Sequence, residues 1–260
     1  MRIFRAEFEQ LTRSMPLVLF ISWTDLKSRY RRTALGPFWL VFATLIGVGG
    51  LGFVWSNLTD VDANIFIPNL AIGLVSWYFI SSCITEAPSN FVQNKDLFLN
   101  ISLSSLVISS ILLTKNFINY FHNFFLIIII FILFKIPLNL NTLAFFPGLI
   151  LLIINLFWII HVLGYLGTRY RDIEPLVTST IQPLFFLTPV LFSADKLGGM
   201  AYIINFNPLT HLIYVVKNPL LGQTIPSLSW LACIAMAIIG WIIAVLLSEV
   251  KRSRLIYWIV

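Results

Sequence analysis

The stretch DLKSRYRRTALGPFW, residues 25–39, marks the point at which this chain first enters a membrane. Four cations stand directly before an uncharged run that extends from Thr33 to Ser56: Lys27, Arg29, Arg31 and Arg32. Lys and Arg at the end of an apolar segment tend to stay on the cytoplasmic side of a membrane. The stretch therefore predicts a first crossing that starts in the cytoplasm.

The composition is that of a polytopic membrane protein. Of the 260 residues, 58% are hydrophobic and 11% are charged, and the mean hydropathy is +0.90. A soluble domain has about 25% charged residues, so that class is excluded. A crossing needs about 20 apolar helical residues. Six stretches qualify: Thr33–Ser56, Ile65–Thr85, Ser105–Phe134, Leu143–Gly167, Pro175–Ser193 and Ser227–Ser248. The expected fold is all-α, with six transmembrane helices.

The distribution of cations predicts that both termini are cytoplasmic. With the N-terminus inside, most Lys and Arg residues fall on the inner side, and only Lys135, Lys196 and Lys217 fall outside. The formal net charge of +6 then reflects topology and contact with anionic lipid, rather than a nucleic-acid surface. No cleavable signal peptide is expected, because the first dozen residues are mostly polar.

The chain divides into a cytoplasmic N-terminus (1–32), a membrane domain (33–248) and a cytoplasmic C-terminus (249–260). In the first part, Ser14 and Pro16 predict the start of an amphipathic helix at the membrane surface. A simple stop of positive charge before the first span is the alternative.

An outer segment, residues 194–226, is apolar but interrupted by glycine and proline. Crossing the membrane here would place Lys251 and Arg252 outside. The segment is therefore expected to form short re-entrant or interfacial helices, which protein or a cavity must surround.

Two inner connections have the composition of contact surfaces. The loop Pro88–Ser104 carries an apolar cluster that either docks onto a partner protein or lies on the membrane: Phe91, Val92, Leu97, Phe98 and Leu99. The turn after the fourth span concentrates Arg169, Arg171 and Asp172. These charges either pair with one another or contact a cytoplasmic subunit.

The polar residues near the spans do not form a recognisable catalytic set. H-E-x-x-H and G-x-S-x-G patterns are absent, and no catalytic, metal or cofactor site is expected. Glu86, at the inner end of the second span, is expected to pair with a basic group, and Lys115 to extend toward the inner headgroups. Cys83 and Cys233 are expected to be packing residues.

A polar face runs along the third span through Asn116, Asn119, Tyr120, His122 and Asn123. Hydrogen bonding to neighbouring helices is the preferred interpretation, with a ligand site or proton relay as the alternative. The chain also lacks the G-x-x-x-x-G-K-[ST] phosphate loop, so any energy from ATP must come from another polypeptide.

The chain contains 23 Phe, 8 Tyr and 8 Trp. Most of these rings are expected to face lipid or other helices, but aromatic faces also stack on sugar rings. A subset is predicted to line a substrate pathway: Trp39, Phe42, Phe53, Tyr78, Phe185, Phe186 and Phe192.

Four motifs together resemble the permease subunits of ATP-binding-cassette exporters of the second type, in particular Wzm-type exporters of O-antigen and related polysaccharides. They occur in the family's order: DLKSRYRRTALGPFW (25–39), RYRDI (169–173), QPLFFLTPVLFS (182–193) and NPLTHLIYVVKNPLLG (207–222). One departure is Phe98-Leu99-Asn100, where related sequences often have Phe-Pro.

The resemblance implies a homodimer that works with two separate ATPase subunits, which bind ATP and Mg²⁺. It implies export of undecaprenyl-pyrophosphate-linked polysaccharide across the bacterial inner membrane, for lipopolysaccharide biosynthesis. The outer segment would close the exit when no polymer is present. Alternatives are a permease of the same type for teichoic acid, capsule or a small hydrophobic drug, and a membrane enzyme of lipid-linked glycan assembly.

The resemblance also assigns residues to two roles. The headgroup of the lipid would be received by the basic segment: Lys27, Arg29, Tyr30, Arg31 and Arg32. The motion of the ATPase would be received by the inner loop and turn: Asn94, Lys95, Asp96, Leu97, Phe98, Arg169, Arg171 and Asp172.

Overall fold

Every described segment of regular structure is helical, as predicted. The computed structural model describes residues 2–31, 33, 36, 38–58, 62–192 and 201–259. The helices are α1 (Arg2–Arg13), α2 (Met15–Arg29), α3 (Phe38–Leu58), α4 (Ala63–Glu86), α5 (Asn90–Gln93), α6 (Lys95–Leu99), α7 (Ser105–Leu133), α8 (Phe145–Arg169), α9 (Ile173–Leu187), α10 (Ala201–Phe206), α11 (Pro208–Leu220) and α12 (Ser227–Ile259). A 3₁₀ turn, Leu140–Ala144, precedes α8.

Among the described residues, five helices are long and apolar enough to cross a membrane: α3, α4, α7, α8 and α12. They correspond to five of the six predicted spans, and the count of six is not confirmed. The predicted fifth span, Pro175–Ser193, contains α9, which has 15 residues and ends at Leu187. Thr188 is extended because Pro189 follows it, and the residue before a proline disfavours the helical conformation. At 1.5 Å per residue, α9 is about 22 Å long, less than the hydrocarbon core.

Helix α4 is the centre of the bundle. Its residues Leu70 to Val75 are almost completely buried, and it packs against α3, α7, α8, α9 and α11. Helix α11 approaches α8 so closely that a Cβ at Gly148 would overlap the backbone of Val215. The short helices predicted for the outer segment are present as α10 and α11, while residues 193–200 lie outside the described part of the chain.

The N-terminus forms two helices where the sequence suggested one. Ser14 occupies the N-cap position of α2 without a side-chain cap bond, and Pro16 lies in the first turn as predicted. Helix α2 buries Val18, Ser22 and Leu26, and Ser22 Oγ donates to the carbonyl of Ile111 in α7 at 3.1 Å. The buried face of α2 therefore rests on the third span. A stop of positive charge alone does not require this packing.

A second, smaller core lies where α1, α2, α5, α7, α8 and α12 meet. It is built around Phe91, Tyr165 and Leu255. We call this region the basic end of the bundle. It comprises α1, α2, the loop with α5 and α6, and the C-terminal ends of α8 and α12, and these elements carry most of the Lys and Arg residues of the sequence.

Candidate functional site

The basic segment borders an open cavity of about 810 Å³ between the end of α2 and α7. Three of the five predicted headgroup residues line it, namely Lys27, Tyr30 and Arg31. Arg32 lies outside the described residues. Arg29 instead lines two smaller cavities beside α4 and α7. The structure thus divides the predicted set between adjoining spaces.

The turn between α2 and α3 depends on Gly36. Its φ is +54°, a backbone conformation that residues with a Cβ rarely adopt, although the space around it is open. This turn brings the chain from the cations directly into the first span. Gly36 of the opening motif therefore has a structural role, and it also lines the cavity.

The cations at this cavity are available to an anion. Among the residues that the structure describes, Lys27 and Arg31 form no ion pair. Burial raises the pKa of Tyr30, and the charge of Arg29 offsets part of that effect. The Tyr30 phenol therefore keeps its proton at neutral pH and remains a hydrogen-bond donor. Two cations and a phenol beside an apolar wall suit a phosphate group attached to a lipid.

Glu86 and Lys115 form the ion pair that was expected for Glu86. Lys115 Nζ lies 2.6 Å from Glu86 Oε2, so the C-terminal end of α4 is tied to α7. Both residues line a cavity of about 290 Å³, together with Asp25 and Arg29. Lys115 therefore has a protein partner where the sequence suggested an extension toward lipid headgroups.

The predicted coupling residues lie at the basic end, in and beside α6. Asn94 joins α5 to α6, and its Nδ2 donates to the carbonyl of Asn90. Asn90 Nδ2 in turn donates to the carbonyl of Ile108 in α7. Helix α6 contains the other predicted loop residues and buries none of its side chains completely. It is thus an accessible helical turn held on α7 through α5.

One member of the apolar loop cluster faces inward. Phe91 is completely buried, and its ring contacts Phe98, His161 and Tyr165. The expectation that this whole cluster docks onto a partner or the membrane is therefore wrong for Phe91. Val92 and Leu99 remain exposed.

The turn after α8 presents its charges outward. Arg169 lies over the ring of Trp258 in α12, with 5.3 Å from its guanidinium carbon to the ring centroid. Arg171 and Asp172 are exposed, and none of the three forms an ion pair within the described part of the chain. The sequence left two interpretations of this cluster, internal pairing and contact with a cytoplasmic subunit. Internal pairing is not observed among the described residues.

Sequence reasoning missed Glu7, which is completely buried at the basic end. Its carboxylate accepts a hydrogen bond of 2.9 Å from Ser105 Oγ and lies 3.4 Å from Arg252 Nε. Ser105 Oγ also lies 3.0 Å from the hydroxyl of Tyr165. Four helices, α1, α7, α8 and α12, therefore meet at one carboxylate. A signal was present, because Glu7 lies one helical turn from both Phe4 and Leu11.

A second polar contact runs beside Glu7 between the same spans. His161 of α8 lies 3.1 Å from Ser109 Oγ in α7 and 2.8 Å from Ser248 Oγ in α12. Because Phe91 packs on both His161 and Tyr165, the α5–α6 loop rests directly on these polar contacts. A displacement of the loop would therefore reach α8 directly, and α7 and α12 through the polar contacts of His161.

Glu7→Gln is expected to flatten the pH dependence of stability. Burial raises the pKa of Glu7 above 4.5, and the Ser105 hydrogen bond and the charge of Arg252 offset part of the rise. The folded protein therefore holds a proton that the unfolded chain has lost, so stability falls as pH rises from about 4.5 through the raised pKa. Melting temperatures in detergent, measured from acidic to neutral pH, should show this slope in the unmodified protein and not in the variant. The control is Glu9→Gln, because Glu9 is exposed. Equal slopes for Glu7→Gln and the unmodified protein would contradict the assignment.

The predicted pathway aromatics do not form one group. Trp39 and Phe42 contact each other on α3, with ring centroids 5.7 Å apart. Phe185 packs against Trp77 at 5.4 Å, and Phe192 lies partly buried against the core. In the single chain, five residues of the set expose more than a third of their surface: Trp39, Phe42, Phe53, Tyr78 and Phe186.

Comparison with known proteins agrees with this arrangement. The ABC-2 type transporter family matches residues 16–221. Two O-antigen export system permease proteins RfbA of Klebsiella pneumoniae are similar to the chain. One is 22% identical over 211 residues, covering 80% of this chain and 82% of the relative. The other is 23% identical over 230 residues, covering 86% and 89%. An RfbA of the same description from Myxococcus xanthus is 20% identical over 246 residues, covering 92% of each. The resemblance inferred from the four motifs is confirmed, and the chain belongs to the ABC-2 type transporter family.

Proposed function

We propose that this chain is the membrane subunit of an ATP-binding-cassette exporter that moves undecaprenyl-pyrophosphate-linked O-antigen, or a similar polysaccharide, across the bacterial inner membrane. The observation that carries the proposal is the 810 Å³ cavity at the basic end, lined by Lys27, Tyr30 and Arg31. The names of the relatives, O-antigen export permeases, support the choice of cargo.

The cavity offers the two kinds of contact that a lipid pyrophosphate needs. Its apolar wall, which includes Trp23 and Leu26, suits the polyprenyl chain, and its cations suit the pyrophosphate. Charge-assisted hydrogen bonds from guanidinium and ammonium groups to phosphate are among the strongest polar contacts in proteins. The basic segment then receives the headgroup from the inner leaflet. In this orientation, both termini of the chain are cytoplasmic.

The energy comes from a partner. The motions of two ATPase subunits, which bind ATP and Mg²⁺, reach a homodimer of this chain through α6 and through the turn that carries Arg171 and Asp172. The exposure of these elements, and the contact of the loop's buried Phe91 with His161 and Tyr165 of α8, support this role. The chain itself then has no catalytic residue.

A deletion strain and a copurification test this proposal. Deletion should trap lipid-linked polymer inside the cell, and the purified chain should carry a stoichiometric P-loop ATPase whose hydrolysis depends on it. Normal surface polymer in the deletion strain would overturn the proposed cargo. Turnover of a glycan lipid by the purified chain alone would identify an enzyme instead, and drug sensitivity with normal surface polymer would identify a drug exporter.

A further inference from the structure

The three histidines of the sequence differ in how their ring nitrogens are paired. Both nitrogens of His161 contact serine hydroxyls, one on α7 and one on α12. Both nitrogens of His211 are paired as well, with Ser229 Oγ and the carbonyl of Asn205. His122 pairs through Nδ1, and its Nε2 forms no hydrogen bond among the described residues. His122 is therefore the histidine with a ring nitrogen to offer to a ligand.

The one hydrogen bond of His122 does not join helices. Its Nδ1 lies 2.7 Å from the carbonyl oxygen of Ile118, which belongs to the same helix. That carbonyl already accepts from the backbone N–H four residues further along, so α7 does not need the additional bond. Hydrogen bonding to a neighbouring helix, the preferred interpretation of this polar face, is confirmed for Asn123, whose Oδ1 accepts from Thr44 Oγ1 at 2.7 Å. It is not observed for His122 within the described part of the chain.

The free nitrogen of His122 is open to the 810 Å³ cavity. His122 lines this cavity together with Lys27, Tyr30 and Arg31. Its Nε2 is not one of the buried polar atoms that lack a partner, so other molecules can reach it. The ring contacts Phe38, the first residue of α3, edge to face with centroids 6.4 Å apart. An ionisable side chain on a membrane span commonly marks a binding site or a transport path.

The bond to Ile118 determines what the free nitrogen can do. A carbonyl oxygen only accepts hydrogen bonds, so Nδ1 keeps its proton in every charge state of the ring. In the neutral ring, Nε2 then carries a lone pair, which does not suit the oxygen of a phosphate. In the imidazolium, Nε2 carries a proton and can donate a charge-assisted hydrogen bond to that oxygen.

We propose that His122, as an imidazolium, binds the pyrophosphate of the lipid carrier through Nε2. The proposal rests on the function proposed above, and it adds a contact on a transmembrane helix to the cations of the basic segment. The carbonyl of Ile118 orients the ring, and Nε2 donates to a phosphate oxygen. The carrier is then held by α2 and α7 together, and its binding takes up one proton from the solvent.

Proton uptake makes the affinity for the carrier depend on pH. Histidine changes charge in the neutral range, unlike the other ionisable groups that line the described part of the cavity, which are Lys27, Tyr30 and Arg31. From α3 the ring meets Phe38, which does not ionise. The bound state keeps a proton that the free protein has lost at alkaline pH, so affinity should fall as pH rises through the neutral range.

The test measures binding of a carrier that cannot titrate in this range. The probe is undecaprenyl pyrophosphate that carries a single hexose, because its phosphates are both esterified and hold no proton near neutral pH. Its Kd is measured on the full chain in phosphatidylcholine nanodiscs, at a pH of about 6 and of about 8. The unmodified protein should bind about tenfold more tightly at the acidic pH, the effect of one charged hydrogen bond. His122→Phe should lose this tenfold gain and should match the unmodified protein at the alkaline pH.

His122→Gln separates the hydrogen-bond donor from the shape of the ring. Its amide offers a donor at every pH and does not titrate. This variant should bind about fivefold more tightly than His122→Phe at the alkaline pH, and its Kd should not change with pH. His122→Phe keeps a ring beside Phe38, so its melting temperature should equal that of the unmodified protein. If His122→Gln binds as weakly as His122→Phe, the donor role is refuted.

Arg31→Gln distinguishes failure of this inference from failure of the proposed function. It should weaken binding at both pH values and leave the pH dependence in place. If it changes nothing, the headgroup role of the cavity fails. If Arg31→Gln weakens binding but His122→Phe has no effect, or has the same effect at both pH values, the cavity still binds the carrier and the role of His122 is refuted.

A bilayer lipid is the other source of phosphate at this cavity. Nanodiscs that contain phosphatidylglycerol supply such a phosphate without the polyprenyl chain or the sugar. The pH dependence of carrier binding should persist in them. If phosphatidylglycerol removes it, His122 binds bilayer phosphate instead of the carrier, and the proposal is refuted.

Discussion

Replacing both Lys27 and Arg31 with glutamine is expected to weaken capture of the lipid carrier by roughly 30-fold to 150-fold, and export with it. Both residues line the 810 Å³ cavity, and neither forms an ion pair among the described residues. A cation at an anionic membrane surface contributes about 1 kcal/mol, and a charged hydrogen bond at the weak end of its range about 1.5 kcal/mol. Losing both cations therefore costs about 2 to 3 kcal/mol, which corresponds to that loss of affinity. Surface polymer in intact cells measures the effect.

The control must separate binding from topology, because the same cations also orient the first span. Arg5→Gln with Arg13→Gln removes the same charge from α1, and neither residue lines the cavity. This control should export normally. The exchange Lys27→Arg with Arg31→Lys keeps the charge and should restore most of the export. If the α1 variant loses export to the same extent, the charges act on membrane orientation alone.

The substitution Gly167→Val is expected to separate ATP hydrolysis from export. Gly167 lies near the end of α8, and a Cβ there would overlap the backbone of Pro88, where the proposed coupling loop begins. Backbone cannot move aside as a flexible side chain does, so the loop must shift away from α8. Overpacking of this kind costs about 1 to 3 kcal/mol. ATP hydrolysis by the reconstituted complex should then become insensitive to the lipid-linked substrate, and surface polymer should fall strongly.

Gly50→Val is the matched control for this substitution. Gly50 is also a helical glycine within a span, but nothing lies within 4 Å of a Cβ placed there. It should keep both the melting temperature and the substrate response. A Gly167→Val protein that behaves like Gly50→Val would show that the contact between α8 and the loop carries no motion. Thermal melting of both variants distinguishes a failure of coupling from a failure of folding.

The positions of the long helices could be predicted because hydropathy is a local property. Twenty apolar residues predict a span wherever its neighbours lie, and the five long helices agree with this. Hydropathy did not predict the break after Leu187, because it does not register that Pro189 disfavours a helical Thr188. It did not predict how short α9 would be, because the apolar composition continued past the point where proline ended the helix.

The sequence predicted that some residues need a partner but not which partner they find. Glu86 was expected to pair with a base, and the structure identifies that base as Lys115, which was expected to extend toward lipid headgroups. The local pattern could have indicated that Glu7 is buried, but not its partners, because Ser105 lies 98 residues away and Arg252 lies 245 residues away. The direction of Phe91 was missed for the same reason, since an apolar residue in a loop fits a partner, a membrane or the subunit's own core equally well.

The sequence by itself determined the class of protein, the location of the long helices and the resemblance to the ABC-2 type transporter family, because hydropathy, charge and motif order are sums over neighbouring residues. Only the tertiary structure decided which polar groups are paired. It joined Asn123 to Thr44 and Glu7 to Ser105, although these residues lie far apart in the sequence. The physical reason is that a buried hydrogen bond depends on which helices are neighbours and at what depth their side chains meet. The opening stretch shows both contributions: its cations predict where the chain enters the membrane, and the fold decides that Lys27 and Arg31 border one cavity while Arg29 borders two others.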